Sequence, residues 1–173
     1  MNKKKILLIA SPIVVALIVF VLVYFEPQAL LVDKKSSETQ QGQIISKTQP
    51  PTSNETDESS EVVEEETAAP AKSQWISRDH QTTGEVFLTA DENGNRYVRF
   101  ENLATDNGPD LKVYIAKSMS SDNSPIDFID LGELKANKGD ANYLIPADVN
   151  IEEYNHVVIW CKRFSSNFAD AVI

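Results

Sequence analysis

One residue in 173 carries a thiol: Cys161, inside the apolar run VVIWCKRF that spans Val157 to Phe164. A thiol can serve as a redox group or nucleophile through its thiolate, as a ligand, or as a small buried apolar side chain. The other soft or nitrogen donors in the C-terminal hundred residues are His80, His156 and Met119. They form no Cys-x-x-Cys-His haem attachment and no Cys/His zinc spacing, so no metal site is assigned. His156 and Cys161 are five apart and point to opposite faces of a straight strand, so they cannot hold one metal together. Haem held by Cys161 alone stays open, and the cofactor is otherwise unknown. With no second cysteine to close an internal disulfide, reversible thiol chemistry requires a thiol or disulfide on a partner. Lys162 and Arg163 follow directly, and on an extended strand Arg163 shares the face of Cys161. Trp160, Phe164 and Phe168 are aromatic neighbours in sequence that would suit either a flat cofactor or a plain core. No Gly-x-Ser-x-Gly elbow or phosphate-cradling glycine loop appears, and neither histidine has a nucleophile close by in sequence. A stand-alone enzyme is therefore not indicated.

These residues must be positioned by strands. Apolar residues recur at period two in Val86 and Leu88, Val98 and Phe100, Leu111 to Ile115, Ile129 and Leu131, and Val157 to Cys161. That alternation marks half-buried strands, and no stretch keeps a 3.6-residue period for three turns. Turn clusters separate the runs: DENGN from Asp91, TDNGPD from Thr105, SSDNSP from Ser120 and NKGD from Asn137. Asn93-Gly94 predicts a hairpin, because both residues accept positive φ. Seven or eight short strands in about a hundred residues predict an all-β domain, a two-layer sandwich or jelly roll. Val157 to Trp160 is apolar on both faces, which predicts a central strand. Acids outnumber bases sixteen to nine from Trp75 onward, which excludes nucleic acid held by phosphate neutralisation.

The rest of the chain sets the compartment. Residues 1–5 carry Lys3, Lys4 and Lys5, and Ile6–Phe25 then runs twenty residues without a charge. That length suits a transmembrane helix, and the lysines predict a cytoplasmic amino terminus and an extracytoplasmic remainder. Bulky Val23, Tyr24 and Phe25 stand where a cleaved signal would want small residues, which predicts an uncleaved anchor. Residues 26–73 are predicted to be a disordered acidic linker. Its core, Asp33 to Ser73, has nine acids against four bases and almost no large apolar residues to offset the cost of ordering. Residues 74–173 are the single outer β-domain. A lone thiol outside the membrane is unusual, because that space is oxidising.

Three ordered blocks within that domain resemble a known family. NGPDLKVYIAK from Asn107, DLGELKANKGDANYLIP from Asp130 and YNHVVIWCKRFSSNFADAVI from Tyr154 are similar to the extracellular "DM thirteen" electron-transfer domain. Thr83-Gly84-Glu85 and VRFENL from Val98 fit the same pattern. The resemblance implies a small β-rich module with a redox cysteine, either a bare thiol or the holder of a prosthetic group such as haem. Here that cysteine is Cys161; the match also takes in Trp160, Phe164 and Phe168, mostly as residues that shape the fold, while Arg163 supports the thiol only as its neighbour on the same face. It also implies a redox partner protein at the cell surface, since this chain has no second domain beside the first. A different expectation stands beside it: a non-enzymatic binding or structural β-module whose cysteine is part of the core.

Overall fold

Successive side chains of a strand point to opposite faces, and those that the long strands turn inward form the main core. The computed structural model describes Pro12, residues 14–21, Val23, residues 32–45 and residues 72–173. In chain order the strands are β1 (Lys35–Ser37), β2 (Gln43–Ile45), β3 (Ser73–Gln74), β4 (Ile76–Ser77), β5 (Thr83–Ala90), β6 (Arg96–Ala104), β7 (Leu111–Met119), β8 (Pro125–Glu133), β9 (Lys138–Ile145), β10 (His156–Cys161) and β11 (Ser166–Val172). A single 3-10 turn, Ile151–Glu153, precedes β10. Among the described residues the strands make two sheets. One has the order β1-β9-β6-β5-β2, with β3 also on β5; the other has the order β4-β11-β10-β7-β8.

The core lies between the sheets. Val86, Leu88, Val98 and Phe100 from the first meet Val113, Ile115, Val157 and Ile159 from the second, all buried in one cluster with Cys161. Each such side chain contributes about 1.5–3 kcal/mol relative to exposure. Ile129 and Leu131 pack against it while partly buried. The all-β, two-sheet expectation therefore holds, and β10 occupies the middle of its sheet as its doubly apolar sequence predicts. The Asn93-Gly94 hairpin is present: the amide of Gly94 (φ +78°) donates to Asp91 O at 3.0 Å, and the Asp91 carboxylate accepts the amides of Asn93 and Asn95.

Two expectations are corrected. Asn137–Asp140 is not a turn, since Lys138–Asp140 opens β9 and pairs with β1. The glycine there serves close approach: at Gly139, φ +98°, a Cβ would lie 1.9 Å from Ser36 O. The segment 26–73 is also not wholly a disordered linker. Lys35–Ser37 runs parallel to β9, and Gln43–Ile45 runs antiparallel to β5. These strands, three residues each, are held mainly by backbone hydrogen bonds to sheet edges, with Ile45 of β2 alone packing on the core. That is why composition missed them. Residues 26–31 and 46–71 lie outside the described residues.

Of the apolar run, Pro12, residues 14–21 and Val23 are helical, and the rest lies outside the described residues. Among the described residues no helix is long and apolar enough to cross a membrane.

Candidate functional site

Cys161 ends β10, opposite Leu111 of β7 on one side and Ser166 of β11 on the other. After it the chain reverses through Lys162–Ser165, where Ser165 takes φ +50°. The turn is clamped to the Asn107–Asp110 connection at two points. The Cys161 thiol donates to Pro109 O at 3.2 Å, and the Lys162 amide donates to Asp110 O at 3.0 Å. Gly108 is needed for this approach, because a Cβ there would meet the Phe168 ring at 2.8 Å and Leu111 Cδ2 at 2.9 Å.

The sulfur is fully buried, and burial pushes the thiol pKa up. The backbone N–H groups of Phe164 and Arg163 act against that shift, Asp110 adds to it, and the Arg163 charge opposes it. At neutral pH the resting group is a protonated thiol. The two amides and the guanidinium form the local environment that favours a thiolate once one forms.

A cleft of about 270 Å³ lies on the outer side of this corner. It is lined by Gly108, Pro109, Asp110, Leu111 and Arg163 near the thiol, and by Glu133, Leu134, Asn137 and Lys34 across from it. Gly108 to Leu111 and Leu134 belong to the blocks that carry the family resemblance, so the pattern read from sequence converges on one surface feature.

The aromatic residues named from sequence do not enclose the sulfur. Trp160 points to the outer face of the second sheet, where it packs with Val158, Tyr114 and Ala116. Phe164 is 59% exposed on the turn. Only Phe168 shares the core with Cys161, and its ring stacks on His80 with centroids 3.7 Å apart. Arg163, placed on the strand by sequence reasoning, lies instead in the turn after it, where it still lines the cleft. The Pro109 carbonyl and the Arg163 and Phe164 amides were not anticipated. Backbone groups leave no mark on side-chain type, and the one available signal was Gly-Pro beside the strand that pairs with β10.

These residues do not fit a haem ligated by Cys161. The thiol is already engaged with Pro109 O, its sulfur is not part of the cleft wall, and the cleft falls below the roughly 300–1,000 Å³ of small-molecule sites. Its walls are charged and polar rather than aromatic. Among the described residues no group of three or more His, Cys, Asp or Glu side chains is placed to hold a metal ion.

Fold and site together define a one-thiol β-sandwich module, with the sulfur at a corner between a Gly-Pro connection and a tight strand reversal. The chain belongs to the family described as electron transfer DM13, which matches residues 74–173. No curated protein and no solved structure matches it.

Proposed function

We propose that this chain is an extracytoplasmic redox component held at a membrane, acting on a partner protein through Cys161. Membership of an electron-transfer family supports the redox role. The observation that carries the assignment to Cys161 is the conjunction of the chain's only thiol with the Phe164 and Arg163 backbone amides at its sulfur and the favourable charge of Arg163 nearby. A single thiol fits exchange with a disulfide on the partner. The Cys161 thiolate attacks one partner sulfur, a Cys161–partner S–S bond forms as the partner's own S–S bond breaks, and the released partner thiolate takes the proton that Cys161 gave up. Ile6–Phe25 and the lysines before it support the anchor and its orientation.

Trapping tests this reading. Cells expressing the full chain are quenched with acid and alkylated, then separated without reductant. A mixed disulfide through Cys161 is expected, lost in Cys161→Ala and collapsed by reductant. Absence of any adduct, with Cys161 alkylated only after denaturation, refutes it. Protease added to intact cells is expected to reach the outer domain, and protection until lysis would reverse the topology. Complete burial of Cys161 favours one other reading, a structural cysteine in a binding module. There Cys161→Ala costs about 1–2 kcal/mol and leaves partner binding intact.

A further inference from the structure

Residues 32–45 lie outside the stretch that matches the family, yet they cross the whole outer face of the first sheet. They begin at the cleft, where Asn107 Nδ2 donates to Val32 O at 2.5 Å and the Lys34 amide donates to Asn137 Oδ1 at 2.7 Å. They then pair along β9 as β1. Glu38 anchors the crossing: its amide donates to Asp140 O at 3.2 Å, and its carboxylate accepts the Asn142 amide at 2.8 Å and Lys135 Nζ at 2.9 Å. The buried Arg99 donates to Glu38 O at 2.5 Å, so the strap covers a charged side chain on the outer face. The far end is β2 on the edge of β5, where Gly42 (φ +72°) lets the backbones meet: a Cβ there would sit 1.8 Å from Ala90 O.

We propose that residues 32–45 are a cis-acting strap that closes one wall of the cleft at the Cys161 corner, so that access to the thiol depends on whether the strap is seated. The cleft joins the two through Pro109, whose carbonyl accepts from the Cys161 thiol. Lys34, with its partner Asn137, forms one side, and Pro109, Asp110 and Arg163 form the other. This regulation rests on the thiol reading above. The strap's contacts are mainly polar and edge-on, the kind that open locally without global unfolding. Whatever draws the chain before Val32 therefore pulls on the cleft wall first.

The test uses the full chain in detergent with Glu38→Pro. This removes the amide that donates to Asp140 O and both carboxylate contacts, while proline's φ remains compatible with an extended segment. Glu38→Ala, which keeps the amide, is the milder companion should the proline variant fold poorly. Hydrogen exchange at Lys138–Asp140 reports strap release, and a neutral-pH thiol probe reports Cys161. Faster exchange together with labelling raised about tenfold, the factor that 1.4 kcal/mol produces in an opening equilibrium, is expected. Faster exchange with labelling at the wild-type rate overturns the strap as a gate and leaves the thiol reading standing. Unchanged exchange in both variants overturns the seating contacts and the proposal with them. If Cys161 stays unlabelled in every folded variant, the gate and the thiol reading fall together.

Discussion

Replacing Arg78 by alanine is expected to destabilise the domain far more than a surface charge would. Asp170 lies on β11 and is completely buried, although its side chain faces away from the main core. Arg78, just after β4, donates to it from Nε at 2.6 Å and from Nη2 at 3.3 Å, and Asn167 Nδ2 donates at 3.1 Å. His156 Nδ1 is 3.9 Å from the same carboxylate. Removing one partner of a fully buried pair strands the other charge and costs about 3–5 kcal/mol. Because 30% of the Arg78 side chain is exposed, water reaches the gap left by the guanidinium, and the cost falls to about 2–3 kcal/mol. For a domain of this size that is a drop in Tm of about 10–20 °C. Thermal and urea unfolding of the full chain, followed by circular dichroism, measure it. Arg78→Lys is expected to recover part of the loss, since it restores charge without the two-point geometry. Arg78→Met combined with Asp170→Asn is expected to be more stable than Arg78→Ala, because no buried charge is left alone. A loss below about 0.5 kcal/mol in Arg78→Ala would refute the argument, since that is the size of an exposed pair.

Gly108→Ala forces a methyl group against Phe168 and Leu111 and is expected to cost about 1–3 kcal/mol in urea unfolding; a neutral result would mean the corner is loosely packed. Burial opposes the charge on Glu38, but the Asn142 amide and Lys135 outweigh it and hold its carboxyl below the ordinary 4.5. Its contribution to stability is therefore complete above pH 4.5 and is lost as pH falls through the lower folded value, so protection of Lys138–Asp140 against exchange, taken relative to the intrinsic rate, falls below that pH. In Glu38→Gln that loss of protection is expected to shrink, the remainder belonging to Asp33, whose carboxyl is likewise held low by Lys138 and Asn137. The Cys161 thiol, raised above its ordinary 9.0 mainly by burial, contributes stability that is complete below pH 9 and is lost as pH rises through the folded value. Denaturation titrations of wild type and Cys161→Ala are expected to converge above it, and parallel curves would show that the thiol does not titrate differently on folding.

Period-two alternation located the long strands because each has one face in a common core, so burial prints itself on the residue types of β5, β6, β7 and β10. The strap left too short a print: Lys35–Ser37 is held by edge hydrogen bonds that any sequence able to extend can make, and Gln43–Ile45 adds to such bonds only Ile45 against the core. Gly139 misled for a related reason. A glycine that admits a neighbouring backbone and a glycine that turns the chain are the same letter, and only the position of Ser36 tells them apart. At the site, the position of Cys161 on a strand in the middle of its sheet was legible, whereas the aromatic shell inferred from adjacency is absent. Trp160 is one residue from Cys161 in the chain and on the opposite side of the sheet.

β2 and β3 meet the same edge of β5 at nearly successive places, Ile45 opposite Leu88 and Ser73 opposite Val86. The chain thus leaves the sheet after Ile45 and rejoins it at Ser73 almost where it left, with 27 residues in between. Both ends of that interval are fixed by the sheet, and the entropy of bringing two points of a chain together grows only as the logarithm of the number of residues between them, about 0.6 kcal/mol for each doubling. The acidic stretch can therefore lengthen, shorten or accept an inserted domain at almost no cost to the fold. Selection on its composition and length is left free to answer to what surrounds the protein rather than to what holds it together.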